Sequence, residues 1–532
     1  MKRAALGLLL ALLSAVWLGS LAVRPLYKAD EARYGEISRE MAQSGDWVTP
    51  RLNGFKYFEK PPLQYWATAA AFKALGEHDW AARLWTALLA AAGVALAYFA
   101  GNRLFGRPAG PLGAAVLAGS PFYVLLGQFN SLDMGVSVFL AGAIFAFALG
   151  HRLLFWVACA LAVLSKGLIG IVLPLGTIGL YVVVRRAWPL LGSMRLVSGG
   201  LLFLAVTAPW FVAVSLANAE FLHFFFIQEH LQRFTTHMHH RNEPWWFFIP
   251  IVAGGIAPWL LLLPGALRSA FQRSFPGGFD APMFLALWSV VVFLFFSLSG
   301  SKLPSYILPM LPALAVLIGR WLAEARPYRL LAAQALLALF AGLALAAGAA
   351  ALVRYLPSHV LPFANDYYPW LVAAGIALAV PSAASLYCAL RKRMFAAVGL
   401  LAAGSFAAVL IALDGHRTLA AGYSVESMVK SLPAPIAPHA RVYAVNAYDH
   451  TMPWTLRRTV TMVAYDDELD KAVTWDPQKF IADLAQFARA WSEPGDAYAF
   501  FALRDFDRMR ADLNLPMQVA ARGPRYVIVR KP

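Results

Sequence analysis

Long apolar runs alternate with short polar turns over most of this 532-residue chain. A run of about 18 or more apolar residues is long enough to cross a bilayer as a helix. Thirteen stretches follow this pattern: 4–24, 80–101, 109–127, 132–150, 153–168, 168–185, 196–216, 245–266, 282–299, 303–322, 329–352, 370–390 and 394–414. They predict a mainly α-helical, polytopic membrane protein with about 13 transmembrane helices. The first run begins like a signal peptide but lacks a small-x-small cleavage site before Arg24, so we predict that it is retained.

The short turns between these spans sort by charge. Alternate turns are basic and nearly free of acids: Lys2 and Arg3; Arg103 and Arg107; Arg152; Arg185, Arg186 and Arg195; Arg268 and Arg273; Arg320, Arg326 and Arg329; Arg391, Lys392 and Arg393. Short basic loops stay on the cytoplasmic side of a membrane. An odd number of spans that starts inside ends outside. The other segments, among them 25–79, 217–244 and everything after about 415, are therefore predicted to face the periplasm.

This charge pattern changes the meaning of the composition. The net charge of +16 is typical of nucleic-acid partners, but much of it lies in the predicted cytoplasmic turns, so no nucleic-acid partner is predicted. Only 14% of the residues are charged, against about 25% in ordinary soluble proteins. The two cysteines, Cys159 and Cys388, lie in apolar spans, which argues against a disulfide framework and against a CxxC metal site.

The chain changes character after about residue 415. Strand-like pieces (RVYAVNA, YVIVR), a helical piece (PQKFIADLAQFARAW) and a turn (EPGD) replace the apolar runs. We predict two domains: a transmembrane domain over 1–414, with a large first external loop at 25–79, and a small periplasmic α/β domain over 415–532.

The densest polar segment, YKADEARYGEISREMAQSGDWVTP, directly follows the first span. Part of it is amphipathic, and one interpretation is a helix that lies on the membrane surface. Asp30 and Glu31 fit this interpretation less well, because they form an acidic pair at a membrane exit. Ionisable groups at membrane depth are costly and tend to be functional.

Three further polar motifs each allow two interpretations. Asp133, in GQFNSLDMG, is a site acid or the N-cap of the next helix. Glu59 and Lys60, beside the proline pair of FKYFEKPPLQYW, belong to a site or form a surface ion pair. Lys166, in LSKGL, is a site cation among apolar neighbours or a lysine that snorkels from a helix end.

Histidines cluster in the segment QEHLQRFTTHMHHRNEP, with Glu229, His230, His237, His239, His240 and Glu243. Histidine and carboxylate side chains are ligands that zinc prefers. Their spacing matches no standard closed zinc site, so a merely polar loop is the alternative.

Several motifs together resemble one known family: ADEARYGEIS, YFEKPPLQYW, NSLDMG, LSKGLIGIVLP, EHLQRF, HHRNEPWWFFIP and SKLPSYILPMLP. In order and predicted placement they are similar to those of the aminoarabinose lipid A transferases. These are integral-membrane, polyprenyl-phosphate-dependent glycosyltransferases of the GT-C fold, related to protein O-mannosyltransferases.

The resemblance implies transfer of an amino sugar, 4-amino-4-deoxy-L-arabinose or a similar one, from undecaprenyl phosphate to a lipid A phosphate. The reaction takes place at the periplasmic face of the bacterial inner membrane and gives resistance to polymyxin and cationic peptides. The partners are then the lipid-linked sugar, lipid A and membrane lipids. No cofactor is required. The alternative that the resemblance raises is a zinc ion held by Glu59 with His230 and His240.

The site residues follow from the resemblance and from the chemistry of an anionic leaving group. The resemblance assigns catalysis to Asp30, and Asp133 is its predicted counterpart across the site. Cations stabilise a departing phosphate, and Lys60, Lys166, Arg233 and Arg241 are the candidates. The other predicted substrate-binding residues are Glu31, Arg33, Tyr34, Tyr57 and, as a cavity-lining tyrosine, Tyr306.

Two other functions stay open. One keeps the enzyme class but transfers the sugar to a protein hydroxyl or another envelope glycan, which demands a base rather than spare cations. The other is a transporter of lipid-linked sugars, but the paired repeats typical of transporters are not evident. The enzyme hypothesis requires that Asp30, Lys60, Asp133 and Lys166 share one chamber.

Overall fold

The computed structural model describes residues 2–232, 243–272, 278–465 and 469–532. Helices of the first half are α1 (Lys2–Gly19), α2 (Asp30–Ser44), α3 (Leu63–Leu75), α4 (Asp79–Phe105), α5 (Ala109–Ala118), α6 (Pro121–Gly127), α7 (Leu132–Ala148), α8 (Arg152–Lys166), α9 (Ile169–Arg185), α10 (Pro189–Gly192), α11 (Leu196–Ala217), a π-helix (His223–Gln232), α12 (Phe248–Ile256) and α13 (Leu263–Gln272).

Helices of the second half are α14 (Ala281–Leu298), α15 (Leu311–Ala325), α16 (Tyr328–Leu352), α17 (Ala364–Leu390), α18 (Met394–Gly415), α19 (Ala420–Tyr423), α20 (Glu426–Lys430), α21 (Thr451–Leu456), α22 (Asp470–Trp475), α23 (Leu484–Ser492) and α24 (Phe506–Leu513). Short 3₁₀ helices cover Ser20–Ala22, Leu260–Leu262, Pro304–Met310, Val353–Tyr355, Leu361–Phe363, His416–Leu419 and Pro477–Lys479.

The predicted membrane spans coincide with helices, but the helices are not equally long. Within the described ranges, seven helices are long and apolar enough to cross a membrane, and two bent pairs raise this number to nine. The pair α5–α6 bends by 66°, and the pair formed by α12 and Leu260–Gln272 bends by 108°. The mainly α-helical membrane fold is confirmed, whereas the count of 13 is not. Hydropathy does not show where a helix breaks, and α7 and α9 have only 17 residues each.

Small residues let the helices approach closely. A Cβ atom added to Gly319 of α15 would lie 2.4 Å from the backbone nitrogen of Gly113 in α5. A Cβ atom on Gly342 of α16 would lie 2.7 Å from the carbonyl oxygen of Gly375 in α17. Such glycine contacts are typical of helix pairs in membranes. Large apolar side chains on the outer helices stay exposed, as expected of surfaces that contact lipid: Val197, Leu201, Leu216 and Leu298.

Helix α2 follows the first span and ends at Ser44, and the left-handed φ of 73° at the next residue, Gly45, closes the helix. Most of its side chains are buried, including the charged Glu31, Glu36 and Arg39. The interpretation of α2 as a helix on the membrane surface is wrong, because protein packs around it. Leu26 and Trp454 both lie close to its Gly35.

A small hairpin joins the first loop to the C-terminal region. Strands β1 (Arg51–Leu52) and β2 (Phe55–Lys56) are antiparallel, and the turn residues Asn53 and Gly54 both have positive φ, as a two-residue hairpin requires. The Asn53 side chain donates to the Val460 carbonyl oxygen at 2.9 Å and accepts from the Val460 nitrogen at 2.7 Å.

The C-terminal region contains a six-stranded sheet in the order β5-β4-β3-β6-β8-β7. Its strands are β3 (Arg441–Val445), β4 (Thr461–Val463), β5 (Phe480–Ile481), β6 (Ala497–Ala502), β7 (Gln518–Arg522) and β8 (Tyr526–Arg530). Strands β3 to β6 pair in parallel, and β8 pairs antiparallel with β6 and β7. The predicted α/β character is confirmed, whereas the boundary at residue 415 stays a prediction.

The C-terminal sheet domain packs directly on the first loop. One apolar cluster contains Tyr34 and Leu52 from the loop together with Met462, Leu469 and Ala472 from the domain. Burial of this shared cluster holds the two parts together and places α22 beside α2 and the β1–β2 hairpin.

Candidate active site

A cavity of about 830 Å³ lies where the first loop, the ends of α7 and α8, the Pro304–Met310 helix and α22 meet. Ten of the residues predicted from the sequence line it: Asp30, Glu31, Arg33, Tyr34, Tyr57, Glu59, Lys60, Asp133, Lys166 and Tyr306. The four residues that the enzyme hypothesis needs in one chamber are among them. Their individual roles stay predictions.

Asp30 opens α2 and is half exposed, with 48% of its side chain accessible. The Arg33 guanidinium, one turn later, lies 3.5 Å from its carboxylate. Arg33 itself is buried and donates to the Tyr57 hydroxyl at 3.5 Å. Helix α2 therefore presents the accessible Asp30 carboxylate beside Arg33, which is itself hydrogen-bonded to Tyr57.

The neighbouring acid, Glu31, is buried and bound by protein groups. Arg83 donates to both of its oxygens, at 2.7 and 3.0 Å, and Arg24 lies 3.6 Å away. The Asn130 backbone nitrogen donates to it at 3.2 Å. Burial opposes ionisation of Glu31, but Arg83 and Arg24 outweigh this effect and lower its pKa. Through Arg83, Glu31 thus connects the start of the first loop to α4.

Tyrosines form the wall beside Asp30. The rings of Tyr34 and Tyr65 lie 5.8 Å apart, and both are buried, as is Tyr57. Burial raises the pKa of all three hydroxyls well above the usual value. They therefore act as neutral hydrogen-bonding groups.

Lys60 lies on the same wall and pairs with an acid from the π-helix. Its Nζ is 3.1 Å from Glu229 and donates to the Glu59 carbonyl oxygen at 2.8 Å. The Glu59 carboxylate is farther, at 3.9 Å, and 23% of its side chain is exposed. The ion pair between Lys60 and Glu59 that the sequence allowed is thus longer than the ion pair between Lys60 and Glu229.

Asp133 and Lys166 meet across the ends of α7 and α8. Their charged groups form an ion pair in which both side chains are nearly buried, and the Lys166 ammonium lies 4.7 Å from the centroid of the Tyr306 ring. The N-cap interpretation of Asp133 is wrong, because Ser131 occupies the N-cap position. The snorkelling interpretation of Lys166 is also wrong, because the ammonium points to a carboxylate inside the cavity.

Part of the predicted site lies outside the described residues. Arg233, Arg241 and His240 fall in the segment 233–242, and the side chain of His230 is also outside the description. Among the residues that the structure describes, no group of three or more His, Cys, Asp and Glu side chains is arranged to hold a metal ion. Glu59 is the one described member of the predicted zinc set.

Sequence reasoning missed several residues of the cavity. Lys56, which pairs with Glu220 at 2.5 Å, and Lys28 line it from the first loop. Lys471 and Trp475 line the cavity from α22. In the chain they are separated from the start of the first loop by more than 400 residues. Polar density in the first loop was a signal for Lys28 and Lys56. No local signal distinguishes Lys471 or Trp475 from other surface residues of an α/β domain.

Comparison with known proteins gives concordant matches. The family model "Aminoarabinose transferase C-terminal domain" matches residues 428–531, and "Dolichyl-phosphate-mannose-protein mannosyltransferase" matches residues 59–212. An undecaprenyl phosphate-alpha-4-amino-4-deoxy-L-arabinose arabinosyl transferase of Pseudomonas paraeruginosa is 37% identical over 61% of this chain. One of Edwardsiella ictaluri is 32% identical over 56% of this chain. The matches span 60% and 55% of the length of these two relatives.

Solved structures match over the whole chain. The crystal structure of ArnT from Cupriavidus metallidurans bound to undecaprenyl phosphate is 32% identical, with a TM-score of 0.94, over 100% of this chain and 98% of that one. Its apo structure gives a TM-score of 0.91 over 99% and 98%. This chain therefore belongs to the ArnT family of aminoarabinose transferases, within the GT-C membrane glycosyltransferases related to the protein mannosyltransferases.

Proposed function

We propose that this chain is an integral-membrane glycosyltransferase that moves an amino sugar, 4-amino-4-deoxy-L-arabinose or a similar one, from undecaprenyl phosphate to a phosphate of lipid A. The observation that carries the proposal is the one cavity in which Asp30, Lys60, Asp133 and Lys166 lie together beside the membrane helices. The names of the relatives and the undecaprenyl phosphate bound to the Cupriavidus protein support the donor.

The charge balance of this reaction explains the cations. An oxygen of the acceptor phosphate attacks the anomeric carbon, and the bond between that carbon and the donor's phosphate oxygen breaks. The acceptor monoester becomes a diester and loses a negative charge, whereas undecaprenyl phosphate leaves as a monoester and gains one. A dianionic phosphate has no proton to remove. The site therefore needs cations at the leaving phosphate more than a strong general base.

The described residues fit this balance. Lys60 and Lys166 are nearly buried cations on the cavity wall, where the low dielectric strengthens their attraction for a departing phosphate. Asp30 is far more accessible than Asp133, with 48% of its side chain exposed against 11%. In our proposal Asp30 faces the sugar ring and stabilises the positive charge that develops there, while Asp133 positions Lys166.

In our proposal the reaction takes place at the periplasmic face of the bacterial inner membrane. The basic turns of the sequence support this, because short basic loops stay on the cytoplasmic side, and a donor and an acceptor that are both lipids meet most readily at a membrane surface. Capping a lipid A phosphate with an amino sugar lowers its negative charge. Polymyxin and other cationic peptides then bind the modified lipid A less tightly.

Purified protein in detergent, supplied with undecaprenyl-phosphate-linked aminoarabinose and lipid A, tests the proposal. Mass spectrometry should show lipid A with added amino sugar and an equal amount of released undecaprenyl phosphate. Unmodified lipid A together with sugar on protein hydroxyls or on another envelope glycan would favour the second enzyme hypothesis. No transfer in detergent, together with donor movement across the membrane when the protein is reconstituted into vesicles, would favour a transporter.

A zinc ion bound by Glu59, His230 and His240 stays a proposal and has a separate test. Of these three side chains the structure describes Glu59 alone, so no step of the reaction is assigned to a metal. We expect transfer after dialysis against a chelator to stay within about twofold of the untreated rate, since the cations above account for the charge balance. A larger loss that added zinc restores would assign Glu59 and the histidines of 230–240 to a metal site.

A further inference from the structure

The cavity cations differ in how they are neutralised. Arg33, Lys56, Lys60, Lys166 and Lys471 each lie within 4.0 Å of a carboxylate. Lys28 lines the same cavity and, in the described part of the chain, has no carboxylate within that distance. Its side chain is exposed to the cavity. Lys28 is thus the described cavity cation whose charge the protein leaves available.

The backbone around Lys28 is fixed at one corner of the cavity. Its nitrogen donates to the Tyr423 carbonyl oxygen at 3.3 Å. The preceding Tyr27 donates its hydroxyl to the His416 carbonyl oxygen at 2.7 Å, and the rings of Tyr27 and Tyr423 lie 5.4 Å apart. These contacts hold Lys28, which lies two residues before Asp30, at the end of the last membrane helix.

The surroundings of Lys28 are electropositive. Partial burial and the nearby Arg525 lower the pKa of Lys28, and Asp449 opposes them. The Asp449 carboxylate is already bound by Arg525 at 2.6 Å and by Thr451 at 2.7 and 2.9 Å. Nη2 of Arg525 is buried without a hydrogen-bond partner in the described structure. An anion at this corner would offset the excess positive charge.

We infer that Lys28 binds the phosphate of the acceptor, a phosphate monoester carried by lipid A, and so defines the acceptor end of the cavity. This inference rests on the proposed function. The reaction brings two phosphates to one site, and Lys60 and Lys166 serve the leaving one. A second phosphate requires a further cation, and an ammonium group on a flexible stem follows a monoester as a point charge. Because Lys28 lies two residues from Asp30, the acceptor oxygen is held close to the acid that faces the sugar.

Steady-state kinetics with undecaprenyl-phosphate-linked aminoarabinose and lipid A test Lys28. The K28Q variant keeps a polar, unbranched side chain and removes its charge, so the KM for lipid A should rise about 10- to 100-fold, the worth of a charge-assisted hydrogen bond. The KM for the donor should stay within about twofold, because Lys60 and Lys166 remain. K28R should keep the KM for lipid A within about threefold, since it retains the charge. K430Q, which removes an exposed ammonium outside the cavity, is the matched control.

The outcomes separate this inference from the proposed function. A K28Q variant with the wild-type KM for lipid A would overturn the inference and leave the proposed function intact. Weaker inhibition of K28Q by added undecaprenyl phosphate, at unchanged KM for lipid A, would also overturn it by placing Lys28 at the donor end. Wild-type protein that transfers no sugar to lipid A would overturn both.

Discussion

At the scale of single residues, neighbouring acids have opposite environments. Asp30 is half exposed and meets one arginine at 3.5 Å, whereas Glu31 is buried and bound by Arg83 and Arg24. A buried ion pair is expensive to break, because the partner's charge stays behind without compensation. An accessible pair contributes little to stability. A substitution of Asp30 should therefore affect mainly activity, and a substitution of Glu31 mainly stability.

We expect D30N to lower transfer by at least about 100-fold, the loss typical of a removed electrostatic group in a transition state, while the melting temperature changes little. E31Q should instead affect stability. It should destabilise the protein by about 3–5 kcal/mol, because Arg83 and Arg24 lose their counter-charge. Transfer assays and thermal melts in detergent, run side by side, measure both. Near-normal transfer by a folded D30N protein would reject the role of Asp30.

At the scale of elements, α2 carries two acids one turn apart, of which Glu36 is buried and Glu40 is partly buried. Glu36 accepts two hydrogen bonds from Arg39, at 2.7 and 2.5 Å, and Glu40 accepts from the Gly54 nitrogen at 2.9 Å. Burial and the adjacent Glu36 charge raise the pKa of Glu40 to about 8. Like-charged groups at this spacing on a helix repel each other. The surroundings of Glu40 in helix α2 thus favour its protonated form.

The raised pKa predicts a pH-dependent stability. Between the ordinary value of 4.5 and about 8, the folded chain binds more protons at Glu40 than the unfolded chain does. The free energy of unfolding should therefore fall as pH rises through this window. E40Q has no such titration, so its melting temperature should gain on the wild type between about pH 5 and pH 8.5. A gap that stays constant with pH, or one that also develops in D512N at an exposed acid, would contradict this account.

At the scale of the whole molecule, the C-terminal domain completes the cavity. Trp475 of α22 packs against Phe58 of the first loop at 5.5 Å and against Phe224 of the π-helix at 5.1 Å between ring centroids. Three distant parts of the chain thus share one aromatic wall, two residues from Lys60. Aromatic packing of this kind adds stability beyond its buried area.

The wall predicts that the C-terminal domain contributes to donor binding. We expect W475A to raise the KM for the lipid-linked donor by roughly 10-fold, equivalent to about 1.4 kcal/mol, because the cavity loses one side next to Lys60. W188A, at an exposed tryptophan, serves as the control. Initial rates at varied donor concentration supply the measurement. If W475A and the control share the wild-type KM, the domain supports the fold but not the donor.

Much of the site was predictable from residue type and segment. An acid such as Asp30 at a membrane exit, or a lysine such as Lys166 in an apolar run, is costly there, and the cost makes it a candidate functional residue. The partners were not predictable. Lys60 pairs more closely with Glu229, 169 positions away, than with its neighbour Glu59.

The sequence by itself determined the helical membrane fold, the sorting of its turns by charge and the identity of the ionisable groups that would gather at one face. These are properties of single segments, since each run meets the membrane and the water through its own hydropathy and charge. Only the tertiary structure decided that Arg83 and Arg24 bind Glu31 while Asp30 stays accessible, and that helix pairs such as α5–α6 bend. It also decided that α22 forms part of the cavity wall and that Lys28 has no acid beside it among the residues that the structure describes. Those outcomes depend on which distant segments pack together, because burial and ion pairing are set by neighbours in space and not by neighbours in the chain.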